Sequence, residues 1–557
     1  MRTVVLAAAA LAAAFLFLVL PLPARPVILS PPSSRAPTAN GSFHIHTNRS
    51  DGSGSPDEVA AAAARSGLNF IVLTDHGDGT RTPDPPQYRS GVLVIDAVEL
   101  STDGGHYIAI GLPQAPYPLR GEARDVVDDV RRLGGFGIVA HPDSAKPSLR
   151  WTDWNAPFDA MEWLNADTEW RDEGTTQLAR ALIRYPFRPA ETLASLLDRP
   201  DAALARWDSL TQNRQVVALA GVDAHARAGW MDDDATGYRG SWFVKLPSYE
   251  TSFRTFSVRL NLNHALRTDA AADAAEILSA LKAGRVYSAV DALAGPPALE
   301  FRTKNGESTN YMGEVTERGG TFVATSIVTA AGVIVLRKDG RIVAEHPLPE
   351  VTFDSKGEEG TYRAEVHLSN APGEPPVPWI VSNPIYVRRQ QGWGSAPSIA
   401  SQPPAITLSV QGGPWHIEKD DATTAQVSQP TPPQGPVAFT YRLAGGERGG
   451  QHAALAIAVG KALTERTHLA FRAYASRPLR VSVQARHPGT GDRWKRSIYL
   501  DAEPRDIVVR FADMTPVGSS GAFDPALADT LLFVIDATNT LPGTDGSFTV
   551  ENLRVER

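Results

Sequence analysis

Six histidines lie between residues 44 and 225, and each stands at or beside one end of a short apolar run. They are His44 and His46 in Phe43-His-Ile-His46, His76 in Leu73-Thr-Asp-His76, His106, His141 in Ala140-His-Pro142, and His225 in Val222-Asp-Ala-His225. Asp51, Asp75, Glu99 and Asp223 accompany them. The apolar runs 42–46, 69–75, 92–99, 106–111, 136–141, 159–164 and 215–223 read as strands. Helical patterns fall between several of them. Ser55-Pro-Asp-Glu58 supplies an N-cap, a proline at the first helical position and first-turn acids, with Gly67 as the stop. Residues 122–133 and 189–210 read as further helices. Strands alternating with helices imply an α/β region with a mostly parallel sheet. Such sheets carry their chemistry at the carboxyl ends of the strands. His44 and His46 alternate along the first strand and so share a face. His106 begins its strand, and faces the same rim where that strand returns as a hairpin from the third.

Imidazoles mixed with carboxylates suit Zn, Mn or Fe(II). The set offers nine donors: His44, His46, Asp51, His76, Glu99, His106, His141, Asp223 and His225. That number exceeds what one ion needs and predicts a site for two to three divalent metal ions. The chain has no cysteine. Thiolate sites, disulfides and cysteine catalysis are excluded, and a hydrolytic site with open positions is expected over a closed structural one.

Taken together, His44-x-His46, Ser50-Asp51-Gly52, Thr74-Asp75-His76, Glu99, His106, His141-Pro142 and Asp223-x-His225 resemble the PHP (polymerase and histidinol phosphatase) domain over roughly residues 41–290. The short step from Glu99 to Gly105-His106, the motif Glu162-Trp-Leu-Asn165 and the closing Leu281-Lys-Ala-Gly-Arg-Val-Tyr-Ser288 look like the CehA/McbA-like metallohydrolase branch. The resemblance implies a distorted seven-stranded (β/α) barrel. It implies one metal on His44, His46, Glu99 and Asp223, and a second on Glu99, His106 and His141. A third would be held by Asp51, His76 and His225, with Asp51 standing where the family often has histidine. The implied reaction is hydrolysis by a hydroxide bridging the metals, on a nucleotide, a sugar phosphate or another small phosphoester. Two alternatives stand beside it: a carboxylic ester, carbamate or amide hydrolase of the CehA type, and a non-enzymatic surface protein that binds glycans. Glu99 is read as the bridge, Asp75 as a candidate general acid/base or as an orienting partner of His44 or His46. Arg227 and Lys146 are candidate contacts for a substrate phosphate.

At 557 residues the chain must hold several domains. Arg2 and the apolar run Val4–Leu20 mark residues 1–24 as a signal peptide or N-terminal membrane anchor, followed by a linker at 25–40. A periplasmic or extracellular location is expected, with membrane contact only through that segment. After the metallohydrolase region (41–295), short β-type runs over 296–389 suggest an immunoglobulin-like sandwich. A Ser/Pro/Gly-rich linker (390–404) leads to a jelly roll at 405–557 resembling galactose-binding or CBM11-like modules. There Trp415, Trp494 and Tyr474 are candidate sugar-stacking residues or core aromatics. The net charge of −8 argues against long nucleic acid as a partner.

Overall fold

A computed structural model describes residues 2–19, 37–229, 243–295, 297–326, 331–389, 408–409, 415–428, 435–518 and 521–556. Most of the two expected linkers and the end of the N-terminal apolar segment lie outside these residues. The chain forms two compact units. One comprises Met1–Asp78, Thr82–Pro113 and Val127–Ser395, and the other Gly79–Arg81, Gln114–Val126 and Ala396–Arg557.

The first unit is built on seven strands: β1 (Thr38–Phe43), β2 (Phe70–Leu73), β3 (Val92–Thr102), β4 (Gly105–Ile110), β5 (Phe136–Val139), β6 (Ala160–Asn165) and β7 (Val217–Gly221). Pairing is parallel for β1–β2, β2–β3, β5–β6 and β6–β7, and antiparallel along β3–β4–β5. Val222 N–H donates to Phe43 O, Ala224 N–H to His44 O, and His46 N–H back to Ala224 O. These bonds join β7 to β1, so the seven strands close into a ring. Ser101 faces His106 across the β3–β4 hairpin, which turns His106 toward the same rim as the strand ends.

Each side of a strand has its own role. Alternate residues such as Phe43, Phe70, Val72, Leu93, Ile95, Ile108, Ile138 and Leu219 converge in one apolar core. Ile277 and Leu281 from α3, which spans Ala270–Lys282, complete it. The first helix, α1 (Pro56–Arg65), begins with the expected capping box: Ser55 Oγ accepts from Glu58 N–H and the Glu58 carboxylate accepts from Ser55 N–H. The second, α2 (Ala123–Arg132), falls where the sequence puts it. The stretch before β7 is more helical than the sequence pattern shows. Besides Pro189–Ala194 and Asp201–Thr211 it forms Ala166–Arg171 and Thr175–Arg184.

Residues 297–389 are β-rich as expected, with one four-stranded sheet ordered Ser308–Tyr311, Glu300–Asn305, Thr321–Thr325, Glu350–Asp354. They are not set off from the first region by a gap in pairing. Strand Ser257–Asn261 joins β1 to Val286–Ala289, which pairs in turn with Ile380–Ser382. Residues on either side of 296 therefore belong to one unit.

The second unit carries two six-stranded antiparallel sheets. Their inner faces meet in a core holding Phe439, Phe471, Phe533 and Phe548. Trp415 and Trp494 belong to that core and Tyr474 is half-buried, so the two tryptophans are packing residues and not an exposed sugar platform. At the N-terminus Arg2–Val19 is helical, and among the described residues no helix is long and apolar enough to cross a membrane.

Candidate metal centre

All nine expected donors converge on the rim of the strand ring. His44 and His46 stand just past the end of β1, beyond the strand conformation expected for them. His44 has φ +65°, His141 φ +29° and Asp223 φ +45°. Three residues of the set thus adopt a left-handed backbone that non-glycine residues avoid, and strain of this kind collects at functional sites.

His44, His46 and Asp223 form one group of possible ligands, and Glu99 Oε2 borders it. His44 lies 3.3 Å from the glutamate oxygen and 3.2 Å from the aspartate oxygen, and His46 lies 3.1 and 3.4 Å from the same two. Four ligands about 2.0–2.1 Å from a tetrahedral ion stand about 3.3–3.4 Å from one another, which is close to this spacing. His46 Nε2 is buried and has no hydrogen-bond partner, although two carboxylates crowd it. An ion at the centre would satisfy it.

The second group uses the other oxygen of Glu99. Oε1 lies 2.8 Å from His106 Nδ1 and 3.0 Å from His141 Nε2. In the third group, Asp51 Oδ2 lies 3.2 Å from His225 Nε2 and 3.5 Å from His76 Nε2. His76 Nδ1 reaches Glu99 Oε2 at 3.4 Å, so the third group borders the first. The donor set fits metal binding.

The electrostatics agree. Burial opposes charge on His44, but Asp223, Glu162 and Glu99 outweigh it and raise its pKa well above the usual value. Burial likewise opposes charge on His46, but the carboxylates of Asp223 and Glu99 crowded against it carry its pKa up to about 10. Burial would raise the carboxyls of Glu99, Asp51 and Asp223. The surrounding imidazoles overcome it and hold all three well below the usual carboxylate range. The carboxylates of the pocket favour positive charge among them.

The surrounding shell contains residues with no role foreseen from sequence. Glu162 is fully buried on β6. Its Oε1 accepts from His44 Nδ1–H at 2.6 Å, and its Oε2 accepts from His141 N–H at 2.6 Å and from Asn165 Nδ2 at 2.7 Å. It therefore fixes two members of the set at once and leaves Nε2 of His44 for the centre. Gly221 makes room for it, since a Cβ there would sit 1.8 Å from Glu162 Oε1. Tyr249 Oη donates to His46 O at 2.8 Å and accepts from the Ser53 and Gly54 N–H groups, pinning the loop that carries Asp51. The available sequence signal was a glutamate inside an apolar strand.

Asp75 is buried, and its hydrogen bonds go to Thr47 and Ser50, whose Oγ lies 3.5 Å from His46 Nδ1. It accepts from Thr47 N–H, Thr47 Oγ1 and Ser50 Oγ, each at 2.7 Å. Arg227 is half-buried two residues past His225, and Lys146 is exposed in the turn after His141.

A scan against protein-family models and a search of curated proteins return no match. Solved structures do resemble the chain. A two-domain protein from Bacteroides vulgatus containing a predicted PHP-like metal-dependent phosphoesterase aligns over 64% of this chain and 99% of its own, at 15% identity and TM-score 0.31. The family 11 carbohydrate-binding module of the Clostridium thermocellum cellulase Lic26A-Cel5E aligns over 28% of this chain and 95% of its own, at 15% identity and TM-score 0.23. With likenesses this low, it is the geometry of the rim that bears on the chemistry.

Proposed function

We propose that the chain is a metal-dependent hydrolase with a PHP-type barrel, of the CehA/McbA-like branch, and that small phosphoesters are its substrates. The observation that carries this reading is the division of Glu99 between two donor groups, one oxygen to each. Structural sites enclose an ion with four protein donors. The two groups that share Glu99, with His44 and His141 and with His76 and His106, offer three donors each, which leaves positions for water and substrate.

Divalent ions in such groups supply an activated water near neutral pH and offset charge growing on the substrate's oxygens. The chain's own residues do the positioning. Glu162 holds His44 and the His141 backbone. Asp75 holds Thr47 and Ser50, and so the turn that presents Asp51; in this reading it is a positioning residue, with its oxygens already engaged by three donors. Arg227, on the loop that carries His225, supplies a cation for a substrate phosphate. Glu99 and His44 close the floor of the site to bulk water.

The second reading keeps the metals and changes the bond, to a carboxylic ester, carbamate or amide. The experiment is a paired assay on Zn-, Mn- and Fe-reconstituted protein with bis(p-nitrophenyl) phosphate, p-nitrophenyl phosphate, p-nitrophenyl acetate and an aryl carbamate. Turnover of a phosphoester is expected. Turnover of the acetate or carbamate alone would transfer the protein to the second reading. Fewer than two bound metal ions per chain would remove both and leave a surface glycan-binding role for the β modules.

A further inference from the structure

The helical stretch between β6 and β7 has a surface that neither the hydrolase reading nor the core explains. Helix Thr175–Arg184 has no buried residue. It is nonetheless amphipathic: at about 100° per residue, Leu178, Ala179, Leu182 and Ile183 share one side, and Arg180 and Arg184 share the other. Leu182 is 69% exposed, Ile183 53%, Phe187 54% and nearby Trp170 42%. Four large apolar side chains in one short insertion are more than scattered surface residues.

The segment's charge identifies the occupant. Residues 175–188 contain Arg180, Arg184 and Arg188 and no acid, in a chain whose net charge is −8. Asp172, Glu173 and Glu191 flank the segment, and Glu191 pairs with Arg188 at 3.4 Å, so the cations within it that can meet headgroups are Arg180 and Arg184. A basic, apolar-faced helix flanked by exposed aromatic side chains is the pattern of an element lying in the plane of a bilayer surface. A second observation links it to the chain's other apolar segment: Phe15, on helix Arg2–Val19, meets the ring of Phe187 edge-on at 6.2 Å between centroids. Val4, Val5, Leu6 and Leu11 of that helix are exposed as well.

We infer that residues 170–188 form an interfacial docking element for an anionic lipid surface, with Leu182, Ile183 and Phe187 entering the acyl boundary and Arg180 and Arg184 at the headgroups. The element works beside the N-terminal helix and holds the first unit against the bilayer. The inference does not depend on which bond the metal rim breaks.

The test is amide hydrogen exchange on the full-length protein with vesicles of phosphatidylcholine alone or with 30% phosphatidylglycerol added. Protection of the 175–188 amides by at least fivefold is expected on the anionic vesicles only. It should be lost in the Leu182→Glu/Ile183→Glu double variant and in Leu182→Ser/Ile183→Ser, and weakened in Arg180→Glu. An unchanged melting temperature and metal content would show that the variants fold. No protection, equal protection on both vesicle types, or protection that appears with protein concentration in the absence of vesicles would overturn the inference; the last outcome would mean that a second copy covers the face.

Discussion

In the strand ring, the rim gathers imidazoles and carboxylates of which His44, His46, Asp51, Glu99, His141 and Asp223 are buried, and His46 Nε2 has no hydrogen-bond partner. In the C-terminal sandwich, strands of similar length bury aromatic and aliphatic side chains, and their buried charges have ordinary partners. His468 pairs with Glu556 at 3.1 Å, and Arg480 donates to Ser497 Oγ at 3.3 Å. Burying charge is expensive unless it is paired. The sandwich follows that rule in the usual way. The ring concentrates three carboxylates and six imidazoles in one place, an arrangement that becomes favourable once cations sit among them. The two regions show that the number of buried polar groups says little; what separates a site from a structural network is whether those groups satisfy one another.

The contrast is broken most directly at Asp223. Asp223→Ala or His141→Ala should take hydrolysis below detection and lower metal content, while near-ultraviolet circular dichroism of the sandwich stays unchanged. Retained activity with unchanged metal would sink the site assignment. The reciprocal change is Trp415→Ala. It removes a core ring from the second unit and should cost about 3–5 kcal/mol there, seen as an earlier unfolding transition. Metal content and kcat of the folded protein should not move. A smaller effect is expected from Glu162→Gln, which weakens the hold on His44 without removing a donor. Metal affinity, measured by competition with a chelator, should fall about 10–100-fold. A value equal to wild type would leave Glu162 as a packing residue only.

The mildest effect concerns Glu169, on helix Ala166–Arg171. Burial, then its neighbours Asp198, Asp172 and Glu173, push its pKa up to about 8, against the Asp198 N–H, which lowers it. The folded state therefore keeps a proton that the unfolded chain releases near pH 4.5. Stability from this group is present below pH 4.5 and is lost as pH rises through about 8. Glu169→Gln should raise the melting temperature at pH 8 and leave it unchanged at pH 4. Equal shifts at both pH values would show that the carboxyl is already ionised in the fold.

The metal donors were legible because histidine at the end of an apolar run is a local pattern. All nine meet at one rim, and the β3–β4 hairpin brings His106 there as its position at a strand start requires. The holding residues were less legible. Glu162 and Gly221 mean nothing apart; they become a pair only because β6 and β7 lie side by side, and no spacing along the chain records that. Asp75 sits next to His76 in sequence but acts on Thr47 and Ser50. The join across residue 295 was hidden for the same reason, since Val286–Ala289 meets Ile380–Ser382 about a hundred residues later. The helix Thr175–Arg184 carries its apolar side chains on one side, and none of them is buried.

The seam between β7 and β1 runs through Phe43, His44 and His46 on one side and Val222 and Ala224 on the other. The donors are therefore also the stitches that make the ring a ring. An ion held by His44 and Asp223 would lie across this joint and would couple metal loading to ring closure. The amides of Val222, Ala224 and His46 should then report metal occupancy by their exchange rates, and chelation should slacken the ring first at this seam, before the C-terminal sandwich loosens.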